Sequence, residues 1–319
     1  MATLRELLSK LRASSLSFKT ALLERNLTPF AISQFEENYR FAREAYGTVP
    51  KLADTKFAAF QHPQWRIFND TLERYFLDEF SAAFLRHPTI TRTMFLAKGG
   101  RWQSAQLGFL RSRRSDADLD LLLRETMLGR PYITSRQMLS SHNTIHHLYH
   151  LTKYEDRTLR SLSGFKSVVE FGGGYGNMAR LIRKLSPAVS YTIIDLPLFS
   201  CIQYVYLATL LGQDSVNLVS RPGPIRDGVI NLVPIPYMDL VPDSTDLFVS
   251  TWALTECTRA AQEYVADRKF FGAGGLLLAY SRRSGLFGDP SDKICAPATF
   301  PERVEERIEL ENNSYYLFC

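Results

Sequence analysis

From about residue 165 onward, short apolar runs alternate with longer stretches of mixed polarity. KSVVEF (166–171) reads as a strand with two adjacent valines. MARLIRKL (178–185) has its apolar residues three and four apart and reads as a helix. VSYTIIDL (189–196) is a second strand, and PLFSCIQYVYLATLLG (197–212) a buried helix with Pro197 in its first turn. SVNLVS (215–220) reads as a third strand, before the Pro/Gly-rich stretch RPGPIRDG. TDLFVSTW (245–252) is a fourth, TRAAQEYVADRKF (258–270) a helix, and GGLLLAYS (274–281) a fifth strand. The tail RIELENNSYYLFC reads as two strands joined at Asn312-Asn313. This alternation predicts an α/β fold: a Rossmann-like, doubly wound, mostly parallel sheet with an antiparallel last strand.

The first half of the chain follows a different period. EENYRFAREAYGT, PQWRIFNDTLERYFLDEFSAAFLRH and ADLDLLLRETML place apolar residues at helical intervals. Breakers fall at Pro50, Pro63, Pro88, Gly99-Gly100 and Gly129-Arg130-Pro131. The pattern predicts a helical N-terminal region of roughly six or seven helices. The expected division is 1–135, a helical region for acceptor binding or oligomerisation, and 136–319, the α/β domain. The opening MATLRELLSKLRASSLSF lacks the apolar core of roughly 7–15 residues that a secretory signal needs. It is expected to form a first helix of a cytoplasmic protein.

Composition narrows the class without choosing a function. The chain has 319 residues, of which 45% are apolar and 22% charged, which excludes a disordered or fibrous chain. No run of about 18 uncharged apolar residues exists, so no membrane-spanning helix is expected. The four cysteines (Cys201, Cys257, Cys295, Cys319) form no CxxC, and such scattered thiols point to a reducing compartment. The net charge of +5 is concentrated: residues 86–136 hold ten Arg/Lys against four Asp/Glu. That segment is either a solvated helical surface or a docking face for an anionic acceptor.

The most informative segment is VVEFGGGYGNMARLI, a strand, a glycine turn and a helix. Glycine is needed where the chain turns sharply and where a ligand approaches the backbone. Gly174, Gly176 and Ala179 fit the GxGxxA variant of the dinucleotide fingerprint, so spacing alone leaves nicotinamide and flavin cofactors open. The acidic residue ahead of the loop shifts the balance. Glu170, Gly172, Gly174 and Gly176 form E-x-G-x-G-x-G, which resembles motif I of class I S-adenosylmethionine (SAM) methyltransferases. The resemblance implies that Glu170 sits near the amino-acid end of the cofactor. A carboxylate suits an ammonium group there and would sit badly beside a pyrophosphate. Asp195, ending the second strand, can accept hydrogen bonds from both ribose hydroxyls, or cap the helix that follows.

The segment PYMDLVPDSTDLFVSTWALTE resembles the region around the fourth strand of small-molecule O-methyltransferases. The resemblance implies that Tyr237 and Met238 flank the adenine, Thr251 and Trp252 border the sulfonium, and Glu256 lies near the acceptor. Taken with the helical first half and the IIDLP turn, residues 120–282 resemble the bacterial putative sugar O-methyltransferase family. Where that family reads like Ser-Leu-Ser-Glu-Met, this chain has Ala253-Leu254-Thr255-Glu256-Cys257, which keeps the acidic position and changes its flanks. The implied activity is SAM-dependent methylation of a hydroxyl on a sugar or sugar-bearing metabolite. Polyketide or phenolic acceptors, and a non-catalytic partner protein of the same fold, are the alternatives.

Such a reaction needs a base to take the acceptor proton. Four of the six histidines cluster in SSHNTIHHLYHL: His142, His146, His147 and His150. His142, His146 and His150 share one helical stripe, and His142 and His146 lead as base candidates. The H-x-x-x-H spacing lacks the Glu of a zincin helix, having Asn143 there, so no metal is assigned to it. Glu256 is the rival base, and Tyr280 a candidate for orienting the acceptor. Some sugar methyltransferases hold a diol with magnesium, for which Glu256 would serve as one ligand. The expected partner is a small-molecule or glycan acceptor, anionic if the basic segment serves it, and a homo-oligomer is compatible with the helical region. Nucleic acid is not expected, since Thr251-Trp252-Ala253-Leu254 stands where base methyltransferases carry an Asn/Asp-Pro-Pro-Tyr-like tetrapeptide.

Overall fold

Proline fixes the start of the early helices. In the computed structural model, which describes residues 29–96, 99–282, 302–308 and 313–319, the first helices are α1 (Pro29–Tyr46), α2 (Pro63–Asp78) and α3 (Pro88–Thr93). At Pro63 and Pro88 the missing N–H costs nothing, because the first helical turn has no internal acceptor for it. His62 caps α2, its Nδ1 accepting from Gln64 N at 3.2 Å. α4 (Arg101–Arg111) and α5 (Asp116–Leu123) follow, the second capped by Ser115, whose hydroxyl accepts from Asp118 N at 3.1 Å. A small hairpin of β1 (Ile133–Ser135) and β2 (Ser140–Ser141) leads into α6 (His142–Thr158). The long helical pattern of 63–87 stops at Asp78 and resumes only as a 3-10 turn at Phe84–Arg86. There Gly129, at φ +84°, packs against Leu85 and exchanges backbone bonds with Ala82 and Leu85.

The rest of the chain supplies β3 (Ser167–Phe171), α7 (Asn177–Leu185), β4 (Ser190–Asp195), α8 (Pro197–Leu211), β5 (Val216–Leu218) and β6 (Ile230–Pro234). It continues with β7 (Leu247–Thr251), α9 (Ala253–Glu256), α10 (Arg259–Asp267), β8 (Leu276–Ser281), β9 (Val304–Arg307) and β10 (Ser314–Phe318). The eight-stranded sheet runs β5-β6-β4-β3-β7-β8-β10-β9. All neighbours from β5 to β8 are parallel, and β10 is antiparallel to both β8 and β9. The fold is therefore the expected Rossmann-like one with an antiparallel last strand. The last two strands form its antiparallel edge. β10 inserts between β8 and β9, and β9 lies earlier than the RIEL segment that the pattern favoured.

The third body strand was not legible as such. SVNLVS forms only the short edge strand β5, and the strand beside β4 is β6, from INLVP. Pro234 and Pro236 hide it, because proline within an apolar run argues against a central strand. Here Pro234 is the strand's last residue, opposite Asp195.

The described residues fall into two compact units that interleave along the chain. One takes residues up to Glu37 and Ser81–His146; the other takes Asn38–Phe80 and His147–Cys319. The second contains the sheet, whose central strands β4 and β6 are buried almost throughout, as a parallel sheet covered on both faces requires. Within it the Asn38–Phe80 segment packs on α8. Asn38 donates to Thr209 Oγ1 at 3.1 Å and accepts from Gln213 at 2.9 Å, and the rings of Phe41 and Tyr204 meet at 4.9 Å.

The basic segment belongs to the first unit, and several of its side chains are engaged locally. Arg86 stacks 3.7 Å over the Tyr132 ring, Arg111 donates to Gln137, and Arg124 pairs with Asp120. Residues 1–18, Lys98 and Cys295 lie outside the described residues; Cys201, Cys257 and Cys319 are free thiols. Among the described residues, no helix is long and apolar enough to cross a membrane.

Candidate active site

The chain leaves β3 for β4 on one side of the sheet and later returns to β7 on the other. The crevice at the carboxyl ends of β3 and β7 is thus the topological switch point, where open α/β sheets bind ligands. The glycine loop lies there. Gly172 N donates to Ile194 O at 2.8 Å, extending the β3–β4 ladder by one residue. Gly172, Gly174 and Gly176 all have positive φ, at +79°, +58° and +92°. At Gly172 space matters as well: an added β-carbon would lie 2.1 Å from Ala253 Cβ, at the start of α9. Gly176 then caps α7, its carbonyl accepting from Arg180 N at 3.1 Å. Ser250 ties the pieces together, donating to Phe171 O at 3.0 Å and accepting from Leu254 N at 3.1 Å.

Two carboxyls stand on either side of this loop. Glu170, 2% exposed, accepts from the Tyr191 hydroxyl at 2.9 Å. Burial raises its pKa to about 8, opposed by the Tyr191 bond and reinforced by Asp195. Tyr191 is itself pushed well up, by burial and by Glu170. Asp195 accepts from Leu196 N and from Gln203 Nε2, each at 2.8 Å. Burial lifts it to about 7, against those two donors and the N–H groups of Gly173 and Gly174. Gln203 also donates to Gly174 O at 2.9 Å, so it braces the loop to the end of β4, and its buried Oε1 has no hydrogen-bond partner.

These features fit SAM. The backbone can be approached closely at the loop, an ammonium would turn the buried Glu170 into a favourable anion, and Asp195 has acceptor capacity for a diol. Tyr237 and Met238 lie on the 3-10 turn Ile235–Leu240 that follows β6. Tyr237 is half-buried and donates to Ser220 O at 3.3 Å, whereas Met238 is fully buried in the core.

The end of β7 is strained. Thr251 is its last residue, and Trp252 adopts φ +63°, an outlier for a bulky side chain. Strain of this kind concentrates at functional sites. Trp252 N donates to Ala279 O at 2.6 Å, and its ring lies 5.2 Å from that of His150. Glu256 ends α9 and is partly buried. Burial raises its pKa to about 7, and the nearby Trp65 indole opposes this. Cys257 feels both Glu256 and Asp195, and burial pushes its thiol up.

The four clustered histidines divide. His142 and His146 belong to the first unit, both buried. Gln106 bridges them, its Oε1 bonding His142 Nε2 at 3.2 Å and its Nε2 bonding His146 Nδ1 at 2.8 Å. His147 and His150 belong to the second unit. Asn177 donates to His147 Nδ1 at 3.1 Å, and burial together with Arg180 lowers His147 to about 3. His150 bonds the Tyr316 hydroxyl and is lowered by burial and by His147. Tyr280 donates to Glu305, which also accepts from Arg282 at 2.7 Å. Among the described residues, no group of three His, Cys, Asp or Glu side chains is placed to hold a metal ion, so Glu256 has no companions there for magnesium.

Sequence reasoning did not single out Tyr191, Gln203 or Trp65. The first two left a trace: Tyr191 shares a strand face with Asp195, and Gln203 is the one amide in an otherwise apolar helix. Trp65, from a distant helix, left none.

No family model matches this chain, and no curated protein matches it. Among solved structures the chain is similar to mitomycin 7-O-methyltransferase MmcR, at 12% identity over 69% of this chain and 68% of that one, with a TM-score of 0.36. It is similar to human N-acetylserotonin methyltransferase in complex with SAM, at 12% identity over 84% and 67%, with a TM-score of 0.37. A third is the pyocyanin biosynthetic protein PhzM, at 14% identity over 99% of each chain, with a TM-score of 0.38.

Proposed function

We propose that this chain is a SAM-dependent O-methyltransferase acting on a hydroxyl of a small molecule, with Glu256 as general base. The observation that carries the reading is the juxtaposition, at one switch point, of Glu170, the positive-φ glycine loop and Asp195 with a partly buried carboxyl of pKa about 7. When bound, SAM supplies an electrophilic methyl group on sulfur. Glu170 holds the ammonium end, Asp195 accepts from the ribose hydroxyls, and Tyr237 borders the base. A carboxyl with pKa near the working pH is ionised often enough to accept a proton and basic enough to take one. His142 and His146 already share Gln106 as a hydrogen-bond partner, which favours Glu256 for this role.

A sugar hydroxyl is the acceptor favoured by the sequence resemblance. A phenolic acceptor is the second reading, and the Glu256 value favours it. A phenol ionises near about 10, only about three pH units above this base, whereas an aliphatic hydroxyl is much less acidic. Calorimetry with SAM and with S-adenosylhomocysteine tests the cofactor, and methyl transfer from labelled SAM to panels of nucleotide sugars and phenols tests the acceptor. Retention of neither cofactor form at millimolar concentration sinks the proposal; methylation confined to one panel decides between the acceptors.

A further inference from the structure

One turn of α6 spans the switch point. His147 bonds Asn177, the first residue of α7 after the glycine loop, at 3.1 Å. His150 packs on Trp252, the residue after β7, with ring centroids 5.2 Å apart at 59°. Both histidines belong to the second unit, with the sheet. His150 Nδ1 shares a hydrogen bond with the Tyr316 hydroxyl, and the two rings lie 5.4 Å apart at 74°. Tyr316 is buried on β10 and stacks on Phe318, with centroids 5.0 Å apart. Its place is set by register: Tyr316 pairs with Ala279 of β8, which pairs with Thr251 of β7. Side chains in such a row share one face of the sheet. A strand continued through residue 252 would send that side chain to the opposite face. The turn at φ +63° brings the Trp252 ring to His150 instead, so the strain has a structural result.

The strand order β4-β3-β7 sets Asp195, Glu170 and Trp252 in sequence along the crevice, and Ala253, next to Trp252, meets the loop at Gly172. With the ribose at Asp195 and the ammonium at Glu170, Trp252 flanks the methionine half of SAM, which carries the sulfonium. An indole face attracts a cation and offers no such attraction to a neutral thioether. Of the three rings, Trp252 is part-exposed while His150 and Tyr316 are buried, so the indole is the one able to touch a ligand. We propose that His150, locked by Tyr316, is a positioning residue that holds the Trp252 ring against the sulfonium, so that the site prefers SAM to S-adenosylhomocysteine. The inference rests on the reading of the glycine loop as a SAM cradle. Burial and His147 lower the pKa of His150, so the imidazole stays neutral and brings no positive charge to the cation. Once the methyl group has moved to the acceptor, the sulfur is neutral and the product loses the attraction that held the substrate.

Tyr316→Phe keeps the ring and deletes the hydroxyl that fixes His150. Titration calorimetry of the full chain is expected to show SAM affinity about fivefold lower, with S-adenosylhomocysteine affinity within about twofold of wild type. His150→Asn offers Tyr316 an amide but removes the ring behind Trp252, and should give the same pattern. In a W252L background, Y316F should cause no further loss of SAM affinity. Equal weakening of both ligands marks the pair as merely structural and overturns the proposal, as does unchanged SAM affinity. Wild type keeps the proposal testable if the variants do not fold. The chain has three tryptophans, so three indole N–H resonances are followed during titration. One is expected to shift further with SAM than with S-adenosylhomocysteine; equal shifts overturn the proposal. If wild type binds neither form, the cofactor reading fails and this inference with it. If wild type binds both and the variants lose them equally, the inference alone falls.

Discussion

Gly172 and Ala253 meet across the switch point so closely that a β-carbon on the glycine would lie 2.1 Å from the alanine methyl. The loop after β3 and the turn after β7 therefore fix each other. Gly172→Ala adds a clash and forces an L-residue into φ +79°. Overpacking costs about 1–3 kcal/mol and the left-handed conformation about 1–2. The variant is expected to lose about 3 kcal/mol in urea unfolding and at least tenfold in SAM affinity. An unchanged midpoint and unchanged affinity mean that the two segments are free to separate.

Stability is expected to depend on pH through Glu170 and Asp195. Both are raised by burial, to about 8 and about 7, above unfolded values of about 4.3 and 3.9. For a group whose folded pKa is raised, the stabilisation is complete below the unfolded value and is lost as pH climbs through the folded one. The ligand-free protein should thus lose stability between about pH 4 and pH 8 as far as these groups govern it. Glu170→Gln should flatten the decline above pH 7. Denaturant melts from pH 5 to 9 measure it, and parallel curves for wild type and E170Q rule the explanation out.

Much of this frame was legible because the signals were local. The strand–glycine–helix unit from Val168 to Ile182 carries its own punctuation, and Asp195 falls at the end of a run of apolar residues. β6 was not legible, because Pro234 and Pro236 disguise a buried strand and the decisive fact is its pairing with β4. The histidine stripe was a true helical pattern. Periodicity cannot tell, however, that a unit boundary falls between His146 and His147, or that Gln106 from another helix bonds His142 and His146. Trp65 lay beyond sequence reasoning for the same reason: its ring meets Phe199, four residues after Asp195, only through tertiary packing.

Gln203 is expected to matter more than its place in an apolar helix implies. Its amide donates to Gly174 O and Asp195 Oδ2 at once. Gln203→Leu leaves both buried acceptors short of a donor, at a cost of about 2 kcal/mol. Asp195 then loses a bond that favours its charged form, so its pKa should rise above about 7. SAM affinity at neutral pH should fall several-fold and improve as pH rises to 8. Calorimetry at both pH values checks this; equal affinity to wild type at each excludes Gln203 from the cradle.

Proton exchange on SAM binding offers the most direct reading of Glu170. Free, this carboxyl has a pKa of about 8 and is mostly protonated at pH 7. An ammonium group beside it favours the carboxylate, so binding at pH 7 expels a proton. An α-amino group with an electron-withdrawing neighbour, as the sulfonium is, ionises near about 8. Above that value the situation reverses: Glu170 is already charged, the free amine is neutral, and forming the ion pair takes a proton up. Net release is therefore expected at pH 7, approaching one proton, and net uptake at pH 9, with the sign changing near pH 8. Titration calorimetry in buffers of different ionisation enthalpy counts these protons. Asp195 contributes in the same direction at pH 7, so Glu170→Gln should remove most of the release and Asp195→Asn the remainder. Binding heats independent of the buffer at pH 7 in the wild type, with SAM demonstrably bound, would leave Glu170 without the ammonium as its partner.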